Sequence, residues 1–191
     1  LLVLADGYPD RRVRLTPEFY AAAQRRRLRL YVEFPEFLPG LTVGEQRTSE
    51  WERGVVVSDF FGPDLPKLRI LSPQNSVFLS VNAPKSHVVL GRVAGYDTAP
   101  YGLPDRTFPL LFELPPSETN GPVLAASTKL SQVVSARFGP VPSWQRVWGA
   151  VLAWLTPGAQ QELKWTPTVR PAWSPDAPLP ANAERLALER G

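Results

Sequence analysis

The side chains able to do chemistry in this chain are carboxylates, tyrosines and a few cations, and they fall in three places. Asp59 follows the apolar run Val55-Val56-Val57 and precedes Phe60-Phe61-Gly62. If that run is a strand of an open α/β sheet, Asp59 stands just beyond a carboxyl end, where such sheets bind ligands. The same aspartate would equally serve as a turn or helix cap. The segment from Gly95 to Pro104 sets Tyr96, Asp97 and Tyr101 in a loop stiffened by glycine and proline. Aromatic faces beside a carboxylate suit a sugar, through stacking and hydroxyl hydrogen bonds. They suit packing against a neighbouring domain as well. Lys129 and Arg137 lie between Thr128 and Gly139-Pro140. They would bind an anion, or pair with Asp59 or Asp97.

Much chemistry is excluded. The chain has no cysteine, which removes disulfides, thiol nucleophiles and thiolate metal sites. It has one histidine, His87, so no pair of histidines can hold a metal. No metal and no cofactor is expected, and no catalytic residue is assigned. The Gly-x-Ser-x-Gly nucleophile elbow, the Walker loop and the dinucleotide glycine fingerprint are all missing. Gly91-Arg92-Val93-Ala94-Gly95 has the elbow's spacing, but valine occupies the nucleophile's place, so these glycines read as structural.

The elements that would position these groups follow from periodicity. Leu1 to Ala5 reads as a buried parallel-type strand ended by Asp6-Gly7. Thr16-Pro17-Glu18 starts a helix: threonine caps, proline suits the first turn, and glutamate suits the positive end. That helix runs to about Arg27, and its basic end (Arg25, Arg26, Arg27 and Arg29) complements the macrodipole. Leu28 to Phe34 reads as a second strand, Pro35 to Glu52 as a loop, and Val55 to Val57 as the clearest central strand. Asp64 to Leu71 is a short helix or a return strand. Further strands are expected at 77–81, 88–93, 108–114 and 123–127. Ser143 would cap a final helix whose Trp144, Val147, Trp148, Val151, Leu152 and Leu155 form one apolar stripe, with Trp154 off it. Trp154 is free to face a partner domain.

The 191 residues suit one domain plus a tail, and 43% apolar residues are enough for a core. No apolar run reaches the roughly 20 residues of a membrane span, and no membrane role is expected. The net charge of +3 is too small to imply nucleic acid. Arginine outnumbers lysine 17 to 4, as in a GC-rich bacterial coding sequence. The expected fold is α/β: an open, mostly parallel sheet with helices on both faces over 1–158, then a proline-rich arm over 159–191. Trp165 and Trp173 suggest that the arm is docked rather than free. The chain begins inside an apolar run and ends inside an incipient helix, so both ends read as cuts in a longer polypeptide. The lack of cysteine is compatible with an oxidising compartment, periplasmic or secreted.

Leu1 to Asp6, Tyr31-Val32-Glu33-Phe34-Pro35, Val55 to Gly62, and Val123 to Arg137 followed by the Trp144–Leu155 helix resemble the class I glutamine-amidotransferase-like fold in its ThuA-like branch. That resemblance implies a flavodoxin-like or amidotransferase-like sheet. The amidotransferases use a cysteine and a histidine partner, so their activity does not carry over. It further implies an inactive domain of the kind found inside bacterial carbohydrate-active enzymes. Pro171-Ala172-Trp173 and Leu179 to Glu184 resemble linkers that lead into a helical glycosidase-like domain. The expected function is a non-catalytic accessory or assembly domain of a larger glycoside-hydrolase-type protein. Its partners would be neighbouring domains, a carbohydrate, or a second copy in a homo-oligomer. The alternatives are a sugar hydrolase with Asp59 and Asp97 as acid and base, and a sugar-binding module built on Tyr96, Asp97 and Tyr101. The interface residues would be Trp154, Trp165 and Trp173.

Overall fold

A computed structural model describes residues 1–73, 75–133 and 141–159. Arg137, Trp165, Trp173 and all but the first residue of the expected arm lie outside them. The described elements, in chain order, are β1 (Leu2–Val3), α1 (Pro17–Arg25), β2 (Leu30–Glu33), β3 (Val43–Thr48), β4 (Arg53–Val56) and β5 (Ile70–Leu71). They continue with β6 (Val77–Val81), β7 (Lys85–Gly91), β8 (Phe108–Leu114), β9 (Val123–Ala126), α2 (Leu130–Val133) and α3 (Val141–Leu155). Seven strands form one sheet in the order β1-β2-β9-β8-β7-β4-β5, and β3 pairs with β6 in a second, two-stranded sheet. The fold is α/β with a mixed sheet.

The expectation of a mostly parallel sheet is corrected. Only β1–β2 and β2–β9 run parallel, and the other four pairings of the large sheet are antiparallel. A parallel pair needs a long crossover, usually a helix, whereas antiparallel neighbours can be joined by loops. Among consecutive strands of this sheet, only β1 and β2 have a described helix between them, and β4, β5, β7, β8 and β9 are linked without one. The direction of β4 follows. It runs opposite to β7, which runs opposite to β8, which runs opposite to β9. The carboxyl end of β4 therefore lies at the amino ends of β2 and β9. The carboxyl end of β7 and the amino end of β8 lie beside the carboxyl end of β9.

Three elements differ from expectation. The first strand is shorter than Leu1 to Ala5 and occupies the sheet edge, with Leu1 and Leu2 nearly half exposed. Position at the edge, which its apolar run could not reveal, leaves it one neighbour. The expected loop over 35–52 contains β3, whose polar run Glu45-Gln46-Arg47-Thr48 hides a strand paired to β6. Ser143 is a buried residue within α3 (Val141–Leu155) rather than its cap. The α1 start is as read: the Thr16 hydroxyl accepts from the Phe19 N–H, with Pro17 first in the helix. The 64–71 segment resolves as the return strand β5.

The core is two main clusters. Tyr31, Leu124 and Ala126 join Trp144, Val147, Trp148 and Val151 of α3. Leu30, Val32, Val123 and Ala125 join Tyr20 of α1, Leu79 and Val81 of β6, and Phe34 and Leu38. Successive strand residues point to opposite faces, so alternate residues of β2 and β9 feed different clusters. Of the expected α3 stripe, Trp144, Val147, Trp148 and Val151 are buried in this cluster and Leu155 packs against it, as does Trp154 expected off the stripe; each large apolar side chain fully buried there contributes about 1.5–3 kcal/mol. Tyr31 meets Trp148 edge-on at 5.6 Å.

Candidate functional site

The residues expected to act together are dispersed. Asp59 is exposed and its carboxylate lies 2.6 Å from the Lys67 ammonium. It follows β4, so it stands at the end of the sheet opposite the carboxyl ends of β2 and β9; the position inferred from a parallel strand is corrected by the strand's reversed direction. Asp97 faces Arg69 at 3.7 Å, so each aspartate has its own cation and neither takes Lys129. Segment 97–99 runs along the outer edge of β5 through the Ile70 N–H to Asp97 and Ala99 N–H to Leu68 hydrogen bonds. Two strand spacings, about 10 Å, therefore separate it from β4 before any offset along the strands is added. Asp59 and Asp97 thus answer to different cations, and among the described residues no hydrogen bond or ion pair links the two carboxylates. Lys129 is half-buried just before α2. Trp154 packs partly against the core, the Arg29 guanidinium lies 5.2 Å over its ring, and Arg29 Nη1 donates to its carbonyl at 2.7 Å. Part of the ring expected to face a partner is thus covered from within the chain.

The loop after β7 is held in one shape. Gly95 has φ +117°, and an added Cβ would fall 1.9 Å from the Thr98 carbonyl oxygen, so only glycine fits. Arg53 of β4 donates to the carbonyls of Gly95 and, at 3.1 Å, Tyr96. Ala99 is buried, and its carbonyl accepts from the Gly102 N–H at 3.0 Å. On this clamped frame Tyr96 and Tyr101 are each 89% exposed.

Beside the loop lies a cavity of about 290 Å³ lined by Arg47, Glu52, Arg92, Pro104, Arg106 and Phe108. It forms where β7 ends and β8 begins, at the same end of the sheet as the carboxyl ends of β2 and β9. Arg92 pairs with Glu52 at 3.1 Å; burial raises the Glu52 carboxyl, but backbone N–H donors and then that guanidinium outweigh it and hold the carboxyl below the usual range. Arg47 and Arg106 lie 5.1 and 5.2 Å over the Phe108 ring. Trp51, next to Glu52 in sequence, is 75% exposed. None of these residues except the loop tyrosines carried a signal in sequence, because Arg47 and Arg106 are nearly sixty positions apart and sit in polar stretches.

The opposite end of the sheet holds a second constellation that sequence did not disclose. Ser58 Oγ lies 2.8 Å from His87 Nδ1, and His87 Nε2 lies 2.9 Å from Glu113 Oε1, whose other oxygen accepts from Lys85 Nζ at 2.7 Å. The pairing register of β7 against β8 slips across His87, between Ser86 and Val88, and again between Val88 and Val89. Such irregularities re-aim a side chain, which hides this contact from simple alternation. His87 is 2% exposed and stacks on Phe60 at 4.1 Å. Burial pushes the imidazole below its ordinary pKa despite Glu113, so at neutral pH it is uncharged. Burial raises the Glu113 carboxyl, but bonds from Lys85 and His87 outweigh it and leave the net shift downward. Nε2–H then donates to Glu113, and Nδ1 accepts the Ser58 hydroxyl. This is the order of groups that activates a serine. Yet Ser58 Oγ also accepts the Phe60 N–H at 3.3 Å, and Phe60 covers the ring, so the chain of bonds pins the 58–61 turn to β7 and β8.

A third polar centre is Glu33, fully buried at the carboxyl end of β2. Its carboxylate accepts from the Ala5 N–H, the Tyr31 hydroxyl, the Ser131 N–H and the Ser131 hydroxyl. Burial raises its pKa against those donors. It ties the segment after β1, β2 itself and the start of α2 into one unit. Among the described residues no group of three or more histidines and carboxylates is placed to hold a metal, and no helix is long and apolar enough to cross a membrane. Comparison with known proteins finds no matching family, curated protein or solved structure.

Proposed function

We propose that this chain is a non-catalytic accessory domain of a larger bacterial glycoside-hydrolase-type protein, and that its rim around residues 95–104 forms one wall of a sugar-contacting surface. The observation that carries this reading is the pair of almost fully exposed tyrosines on a clamped loop. Large aromatics left in water are normally few and scattered; two on one loop whose backbone is clamped at Gly95 and Tyr96, with Trp51 exposed next in the chain to the cavity-lining Glu52, offer faces for stacking. Asp97 adds an exposed acceptor for sugar hydroxyls. An amidotransferase-like (ThuA-like) framework is supported by the parallel β1-α1-β2 unit and by the assignment of α1 and α3 to different core clusters, as with helices on both faces. Residues of the tail are assigned to contact with neighbouring domains.

The test is titration of the 191-residue chain with a neutral galacto-oligosaccharide, followed by tyrosine side-chain NMR. Shifts confined to Tyr96 and Tyr101, abolished in the Tyr96→Ala/Tyr101→Ala double variant, together with no turnover of the oligosaccharide, are expected. Turnover by the isolated chain would overturn the non-catalytic assignment.

The Ser58–His87–Glu113 chain of bonds favours a second reading, a serine hydrolase acting on acyl esters. Fluorophosphonate labelling that stops in Ser58→Ala would establish it. If His87 and Glu113 only brace the turn, wild type does not label.

A further inference from the structure

We infer that the cavity between the ends of β7 and β8 binds the anionic group of an acidic sugar, with Arg47 and Arg106 as its principal donors. This deepens the reading of the rim as a sugar-contacting surface and rests on it. Three guanidinium groups and one carboxylate line the cavity. Glu52 is engaged by Arg92 at 3.1 Å. No carboxylate among the described residues pairs with Arg47 or Arg106; each instead lies over the Phe108 ring. Stacking on a ring orients a guanidinium while leaving the N–H donors in its plane for a ligand. Two such groups lining one cavity suit a carboxylate or sulfate, which guanidinium binds through paired hydrogen bonds.

The walls are set by the fold. Phe108 is seated on Phe78 of β6 at 5.2 Å, and Arg47 stands opposite Phe78 in the β3–β6 register. Pro104 packs so closely on Gly91 that a Cβ there would meet its ring at 3.2 Å. A volume near 290 Å³ is at the low end for small-molecule sites, which suits one sugar unit and not a protein segment. Trp51, exposed and next in the chain to the cavity-lining Glu52, is the kind of aromatic a sugar ring rather than a bare ion would use. A nucleic acid also offers anions and rings, but a chain of net charge +3 lacks the extended basic face that a phosphate backbone requires.

Isothermal titration of the full chain with trigalacturonate, a sulfated galactotriose, neutral galactotriose, inorganic sulfate and a single-stranded oligonucleotide tests this. The acidic sugars should bind about tenfold more tightly than the neutral one, in line with charge-assisted hydrogen bonds, and more weakly as salt rises. The relative affinities of uronate and sulfate ester identify the natural anion. Arg47→Gln/Arg106→Gln should bring the acidic sugars down to the affinity of the neutral one, and Arg106→Lys should retain only part of the preference. A correct thermal transition for each variant shows that it is folded. Equal binding of acidic and neutral sugars would overturn the anion assignment and leave the rim reading standing. Binding of sulfate or oligonucleotide as tight as the acidic sugars would overturn the sugar assignment. Binding of none of the sugars would overturn both.

Discussion

The two ends of the seven-stranded sheet treat charge differently. At the amino ends of β2 and β9, Lys85, Glu113, His87 and Ser58 form one continuous chain of hydrogen bonds under Phe60. At the carboxyl ends, Arg47 and Arg106 lie over an aromatic ring beside a cavity. A polar chain whose members satisfy one another stabilises the fold and has little left to offer a ligand. Cations held in place without a carboxylate retain their donors for one. On this contrast rests the proposal that the carboxyl-end rim binds and the opposite end braces.

If that division is right, substitutions should separate by effect on stability. The largest loss is expected for Glu33→Ala, which strips four donors of their shared acceptor inside the core; about 3 kcal/mol should disappear from the unfolding free energy in urea. Glu113→Ala should cost about 2 kcal/mol, because it leaves a buried imidazole and an ammonium without their acceptor. A loss as small as that of a surface change would show that the chain of bonds braces nothing.

The pH dependence of stability sharpens the same point. The folded His87 pKa lies below 6.5 because burial disfavours the imidazolium. As pH falls below 6.5 the unfolded chain takes up a proton first, so this group lowers stability from there down to its folded pKa, and no further below it. Glu33 works in the other direction, since its raised folded pKa makes protonation favour the fold as pH falls toward 4.5. Denaturation at pH 7 and pH 5 should therefore show a smaller acid loss in His87→Gln than in wild type. An unchanged difference between the two pH values would remove His87 from the account.

The smallest effect belongs to the rim. Arg47→Gln, Arg106→Gln and Tyr101→Ala should each leave the unfolding free energy within about 0.5 kcal/mol of wild type. A loss of several kcal/mol in any of them would mean that the rim braces the fold as the opposite end does, and the comparison would fail.

Whatever depended on a short stretch of chain was readable from its residues. The Thr16-Pro17 start of α1, the apolar stripe of α3 from Trp144 to Val151, the strand at Val55–Val56 and the structural role of Gly95 are consequences of local hydrogen bonding, periodicity and backbone freedom. The tertiary structure alone decided which strands pair and in which direction. It put Asp59 at the far end of the sheet, seated β1 at an edge, and recruited a polar stretch as β3. It also assembled Arg47 with Arg106, and Ser58 with His87 and Glu113, across long separations in the chain. Periodicity carries which face of a strand is buried, but it holds no information on a strand's neighbour. That choice comes from the packing of the whole chain, and both candidate sites of this molecule are products of it.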